Sequence, residues 1–266
     1  AISCASITTT ALLPLSACWF TQPTVLSGPI QTDLATYVRG VIAGATFPFS
    51  TEIIDLQPGA QMQPAFRAAG TGVNSLVNLS LSYGTNEVGD MFLAQVNAVG
   101  AQVPVTPAGW TLQHSKASGG VTQYFYTRDT LSSGGEVGSG VWTIAAGNAP
   151  NQGIIYSFSN VDATTYLEDI TDFASADGSG AGPTVTPTGP GRLAVNLFSA
   201  NSDAGATPIT GQTGGIWLEQ SEHASGLGGV LQLQTATLAA LTAITGGSCT
   251  VGSGTALVSG IALLQS

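Results

Sequence analysis

Residues 89–96 read GDMFLAQV, and residues 191–198 read GRLAVNLF. In each, a glycine and a charged residue lead into an apolar run too short for a helix, and turn-forming residues bound it, which is the pattern of a buried strand. The segments downstream of these runs repeat as well. After the first run come a Pro-rich loop, Gly109-Trp110-Thr111-Leu112, the segment Val121 to Tyr126, and GIIYSF at 153–158. After the second come a polar loop, Gly215-Ile216-Trp217-Leu218, the segment Gly229 to Leu233, and GIALLQ at 260–265. Two similar four-strand series suit a sandwich assembled from two related hairpin sets. Their period, about 100 residues, is too long for a solenoid.

Outward from these runs, short apolar or alternating segments bounded by Gly, Pro, Asn and Asp predict eleven strands. They lie near 51–56, 75–81, 91–98, 110–114, 121–128, 141–144, 153–158, 192–199, 216–220, 229–234 and 255–264. In SLVNLSL at 75–81, period-two alternation places the Leu and Val side chains on one face, buried, and the polar side chains on the other, wet. Residues 1–48 lack such alternation. They read as an irregular N-terminal arm for docking or oligomerisation, with one short helix near 32–41 that Thr32 and Asp33 open. The expected organisation is therefore an arm at 1–48 and an all-β, antiparallel sandwich at 49–266. Its two similar halves span about 49–172 and 190–266, and the loop-like DFASADGSGAGPTVTPTGPG lies between them.

Composition narrows the function. Of 266 residues only 8% are charged while 43% are hydrophobic, so the chain can bury a core and is not disordered. The 35 Gly and 13 Pro show no collagen period. A net charge of −10, with Lys116 and four arginines as the only fixed cations, offers no basic patch for nucleic acid. Apolar runs never exceed four residues, so no membrane-spanning helix is expected. The opening residues lack a basic n-region, which fits synthesis in a cytoplasm and loss of an initiator Met. Cys4, Cys18 and Cys249 have no CxxC spacing, so no zinc site is indicated, and a Cys4–Cys18 bridge is the lesser alternative to free thiols.

The run GDMFLAQVNAVGAQVPVTPAGWTLQHS, then TQYFYTRD, VWTIA and GIIYSFSNVDATTYLED, resembles a jelly-roll-like β-sandwich module of tailed-phage virion proteins. The places that carry the likeness are Gly89-Asp90, Pro107-Ala108-Gly109-Trp110-Thr111-Leu112, Tyr124-Phe125-Tyr126, Trp142-Thr143 and Val161-Asp162, and GPGRLAVNLF is similar to the module's second half. It covers roughly residues 51–266. The resemblance implies a non-enzymatic virion protein, made in the host cytoplasm, that decorates or stabilises a capsid or forms part of a head or tail fibre. Its partners would be the major capsid protein or another virion protein. A carbohydrate-binding host-attachment adhesin, with a host glycan as ligand, is the alternative.

Residues of other chemical character have bland readings beside the sharp ones. No GxSxG, GxGxxG, P-loop, HExxH or EF-hand pattern occurs, so no catalytic residue, cofactor site or metal site is assigned. His114 and His223 lie just after the two Trp-containing strand openings and could mark a metal pair, although strand ends meeting solvent explain them as well. Glu219, Glu222 and Asp90 could supply a glycosidase-like carboxylate pair, which sequence spacing cannot establish. Five of the 15 acidic residues, Asp162, Glu168, Asp169, Asp172 and Asp177, crowd one stretch and suit either calcium or solvation. Trp110, Trp142 and Trp217 could stack on sugars, but their apolar neighbours favour packing. Asn78-Leu79-Ser80 is a formal glycosylation sequon without other signs of a eukaryotic secretory route. From His223 to Ser266 there is no Asp, Glu, Lys or Arg, a neutral stretch suited to a closed homo-oligomer, with a trimer favoured.

Overall fold

The structure is a computed structural model that describes residues 62–100, 102–128, 138–144, 151–162, 164–175, 179–200, 210–225, 229–238, 241–250 and 257–265. The arm at 1–48, the short helix within it, the strand near 51–56 and the Cys4–Cys18 alternative lie outside these residues. Among the described residues there is no helix. The described residues form seventeen strands, in chain order β1 (Ala65–Ala69), β2 (Val73–Ser75), β3 (Leu79–Ser82), β4 (Met91–Val99), β5 (Thr111–Ser118), β6 (Val121–Arg128), β7 (Ser139–Trp142), β8 (Asn151–Ser159), β9 (Leu167–Ser175), β10 (Ser179–Ala181), β11 (Thr184–Val185), β12 (Arg192–Ala200), β13 (Trp217–Ser225), β14 (Gly229–Leu238), β15 (Ile244–Thr245), β16 (Ser248–Thr250) and β17 (Leu257–Leu264). All lie in one compact unit, Gly59–Ser266. The protein is all-β, built from several antiparallel sheets.

The two large sheets have the same order. The first runs β5-β6-β4-β8-β1, with β2 also on β8, and the second runs β13-β14-β12-β17-β9. Register fixes the correspondence residue by residue. Leu93 stands between Thr127 and Tyr156, and Val195 stands between Thr235 and Ala262. Each sheet carries a bulge at the same two places. The extra residue is Gln113 in β5 and Gln220 in β13, and it is Arg67 in β1 and Glu168 in β9. Gln113 Nε2 donates to Thr127 Oγ1 at 2.6 Å, and Gln220 Nε2 donates to Thr235 Oγ1 at 2.8 Å.

Between the sheets lies a shared core. Met91, Leu93, Phe125, Ile154, Tyr156 and Phe158 from the first sheet meet Leu193, Val195, Leu197, Leu231, Leu233, Ala262 and Leu264 from the second. Side-chain sizes are complementary at corresponding positions. Ile154 and Tyr156 in the first sheet answer to Gly260 and Ala262 in the second, and a Cβ at Gly260 would stand 2.9 Å from the Phe125 ring. A polar tether crosses the core where Tyr156 donates to Gln95 Oε1 at 2.9 Å and Gln95 Nε2 donates to the Phe198 carbonyl at 2.8 Å. Burial pushes the Tyr156 hydroxyl well above its ordinary pKa, so it remains a donor.

Each large sheet also has an outer layer. Strands β3 and β7 pair and bring Leu79, Leu81 and Trp142 onto Phe92, Ala94, Val96 and Ile155. Gly153 permits the approach, since a Cβ there would meet Leu81 at 2.8 Å. On the other side β11 and β15 pair and bring Val185 and Ile244 onto Ala194, Ile261 and Leu263, β10 pairs with β16, and Asn196 Nδ2 holds the Gly246 carbonyl at 2.9 Å.

Several expectations need correction. The segment 75–81 is not one alternating strand: it bends at Leu76 and Val77, both exposed, and only Leu79 and Leu81 reach the core. The pairing of GIIYSF with GIALLQ is off by one residue, because Ser259, not Gly260, stands where Gly153 stands; in a strand that slip exchanges the two faces. Strand β9 is absent from the expected set, and it belongs to the second sheet although residues 167–172 read as part of the first half. Strands β1, β10, β11, β15 and β16 also escape the sequence pattern, being short, partly exposed or glycine-rich.

The edge bulges carry ion pairs of opposite polarity. Arg67 Nε lies 2.6 Å from Asp90 Oδ2, an ion pair by distance although the N–H is not aimed along a hydrogen bond. At the corresponding places Glu168 is paired with Arg192. Burial alone would raise the Glu168 carboxyl, but the Arg192 guanidinium and the Thr188 N–H, 2.5 Å away, outweigh it and hold the group below its ordinary value. Were β9 to fold back onto β8, its neighbour in sequence, Glu168 would face Asp90 as a like charge. Arg67→Glu is therefore expected to cost about 3–5 kcal/mol in denaturant unfolding, because the Asp90 side chain is only 2% exposed. Adding Asp90→Arg restores a pair and should recover most of that loss; a double variant no more stable than the single one would remove the ion pair from the account.

Candidate docking groove

Strand β13 is an edge strand, and its two faces differ in character. Its outward face carries Glu219 and Glu222, which both accept from Gln232 Nε2, at 2.6 and 3.4 Å. Its inward face carries Leu218, and just before it the chain exposes Ile216. These two side chains, 58% and 82% exposed, form with Thr235 and Thr237 an open groove of about 310 Å³. The bulge at Gln220 turns that amide back to the lining residue Thr235, so a fixed Gln–Thr polar pair stands beside the groove. The rest is apolar. Full burial of a Leu or Ile side chain stabilises by about 1.5–3 kcal/mol, and part of that gain remains open to whatever covers Ile216 and Leu218. The volume is at the lower end for small-molecule sites.

The residues singled out in the sequence do not converge here. His114 stacks on Phe125, with ring centroids 6.3 Å apart. His223 lies 3.3 Å from Asn74 Oδ1, and burial lowers its pKa. The two histidines sit in edge strands of different sheets and make no pair. Asp90 belongs to the Arg67 ion pair in the first sheet, away from Glu219 and Glu222 in the second. Asp162 Oδ1 accepts from the backbone N–H of Thr165 and Thr164 and from both hydroxyls, which lowers its pKa to about 2. Glu168 is engaged by Arg192 and Thr188, and Asp169 Oδ1 accepts from the Ile170 N–H at 2.8 Å. These three carboxylates thus turn to local donors instead of one another. The Asp172 side chain and Asp177 lie outside the described residues. Among the described residues no three His, Cys, Asp or Glu side chains gather as metal ligands.

The tryptophans are packing groups to different degrees. Trp142 is fully buried between Trp110, at 5.0 Å, and Tyr126, at 5.6 Å. Trp110 is buried with them, whereas Trp217, at the corresponding place in the second sheet, is half-buried and donates to the Thr213 carbonyl at 3.3 Å. Gln220 and the groove residue Thr235 that it bonds are not among the candidates that the sequence singles out. A signal exists: Gln stands three residues after Trp in both WTLQ and WLEQ, and its Thr partner comes 14 and 15 residues later.

Comparison of the chain with protein-family models, curated proteins and solved structures returned no match. Trp110→Ala is expected to cost about 3–5 kcal/mol by chemical denaturation. Trp217→Ala should cost less than half as much, and equal costs would mean that the second outer layer is as tightly packed as the first.

Proposed function

We propose that the protein is a non-enzymatic structural component of a tailed-phage virion, decorating or stabilising the capsid or forming part of a head or tail fibre. The jelly-roll-like likeness of its sequence motifs is part of that proposal. The observation that carries most weight is the neutral stretch His223–Ser266. It supplies β14 and β17, two of the five strands of the second sheet, and β15 and β16 of its outer layer. Strands β14 and β17 are almost wholly buried, but the exposed described residues of the stretch, among them Leu241 and Ser248, carry no fixed charge, and such a surface can pack against identical or different neighbours without desolvating ions. Exposed Val103, Val105 and Val141 around the outer layer of the first sheet offer a second surface of this kind. The major capsid protein or another virion protein would be the partner, with self-association as a closed trimer.

A host-attachment adhesin that binds a glycan is the second reading. Sugar-stacking aromatics should stand in solvent, and Trp110 and Trp142 are instead buried, which favours the structural reading. Labelling of the protein in purified particles, or its density in a particle reconstruction, tests both. Shell-wide occupancy or a place along a fibre shaft is expected. Occupancy confined to fibre tips would favour the adhesin, and absence from particles would overturn the virion reading.

A further inference from the structure

The first sheet contains a counterpart of the groove, and there it is filled. Tyr166, the residue just before β9, packs against the shared core beside the Gln113–Thr127 pair. Its hydroxyl lies 3.0 Å from Gln113 Nε2 and 3.0 Å from Thr127 Oγ1. The register that aligns Leu167 with Phe66 puts Ala65 in the place of Tyr166. A methyl group cannot span to Gln220 and Thr235, so the second pair has no phenol above it. The walls differ in a consistent direction. Where the first sheet has Gly109 and Thr111, the second has Ile216 and Leu218, apolar side chains of the kind a ring would cover.

We propose that the groove receives a tyrosine side chain presented by a partner polypeptide. The ring lies on Leu218 and Ile216, and the hydroxyl takes the hydrogen bond of the Gln220 amide and meets Thr235, as Tyr166 meets Gln113 and Thr127. Within the described fold no tyrosine can serve, because Tyr83, Tyr124, Tyr126 and Tyr156 are buried in the cores and Tyr166 is already engaged. The sixth tyrosine, Tyr37, lies outside the described residues, and tyrosine-probe binding that appears only in Tyr37→Ala would give the groove to this chain's own side chain and overturn the proposed partner. The proposal rests on reading the groove as a docking site, and it does not depend on the partner's being a virion protein.

The test uses the full chain and two small probes, N-acetyltyrosinamide and N-acetylphenylalaninamide, with NMR shifts of the Ile216 and Leu218 methyls and the Gln220 side-chain amide as readout. Saturable shifts with the tyrosine probe are expected, with binding roughly five-fold tighter than that of the phenylalanine probe, the factor for one hydrogen bond. Gln220→Leu should erase that preference. Ala65→Tyr should fill the groove from within, raise the melting temperature and abolish probe binding, while Ala65→Phe raises it less. Equal binding of the two probes, no saturable shift, or self-association that the tyrosine probe fails to compete would each overturn the proposal. A protein that is found in particles yet is silent to the probes would keep the structural reading and lose this one.

Discussion

Burial of both faces of the central strands is the constraint on which the rest of the structure depends. Strands β4, β8 and β12 have almost no exposed residue along eight or nine positions. A continuous buried run is ordinarily the mark of a parallel sheet covered by helices. Here no helix is present among the described residues, and short antiparallel ribbons do the covering instead. The outer layers are therefore needed: without β3 and β7 the faces of Phe92 and Val96 would meet water, and without β11 and β15 the same would hold for Ala194 and Ile261. Amides such as Gln95 and Asn196 are tolerated in such strands because each finds a carbonyl in a facing layer.

Correspondence between the two sheets extends to bulges and polar contacts, while the side chains have moved apart. At the shared core the divergence is complementary, with Tyr156 and Ile154 on one side answered by Ala262 and Gly260 on the other. Two identical faces of large side chains would overfill the space between the sheets, and two of small ones would leave voids, both destabilising. Opposite polarity in the Arg67–Asp90 and Glu168–Arg192 pairs has a similar logic. It distinguishes two edge strands that could otherwise occupy each other's places. The same divergence leaves the phenol site filled at Tyr166 and open at Ala65.

Much of this is legible in the sequence where a strand is buried on both faces or ends in strong turn signals. Segments 121–128 and 192–199 read almost as they fold, because apolar density and Gly boundaries agree there. The pattern fails where covering is done by short ribbons. Residues 244–245 and 248–250 gain strand character from partners distant in sequence, which local periodicity does not carry. Leu76 and Val77 mislead because a bend, not alternation, decides their exposure. Strand β9 is acidic, so its membership of the second sheet depends on β17 more than on its own composition. As for the groove, Leu218 and Ile216 look like ordinary core residues of a strand, and only register against the first sheet shows what is missing beside them.

Both sheets share one interior, so they should lose their structure together, since neither can keep its inward face dry alone. Native-state hydrogen exchange under increasing denaturant measures this most directly. The expected result is that amides of β4 and β8 in the first sheet and of β12 and β17 in the second merge into one global opening with the same free energy and the same denaturant dependence. Two separate openings, with one sheet exchanging well below the other while the second remains protected, would contradict the account of a single core built from two corresponding halves.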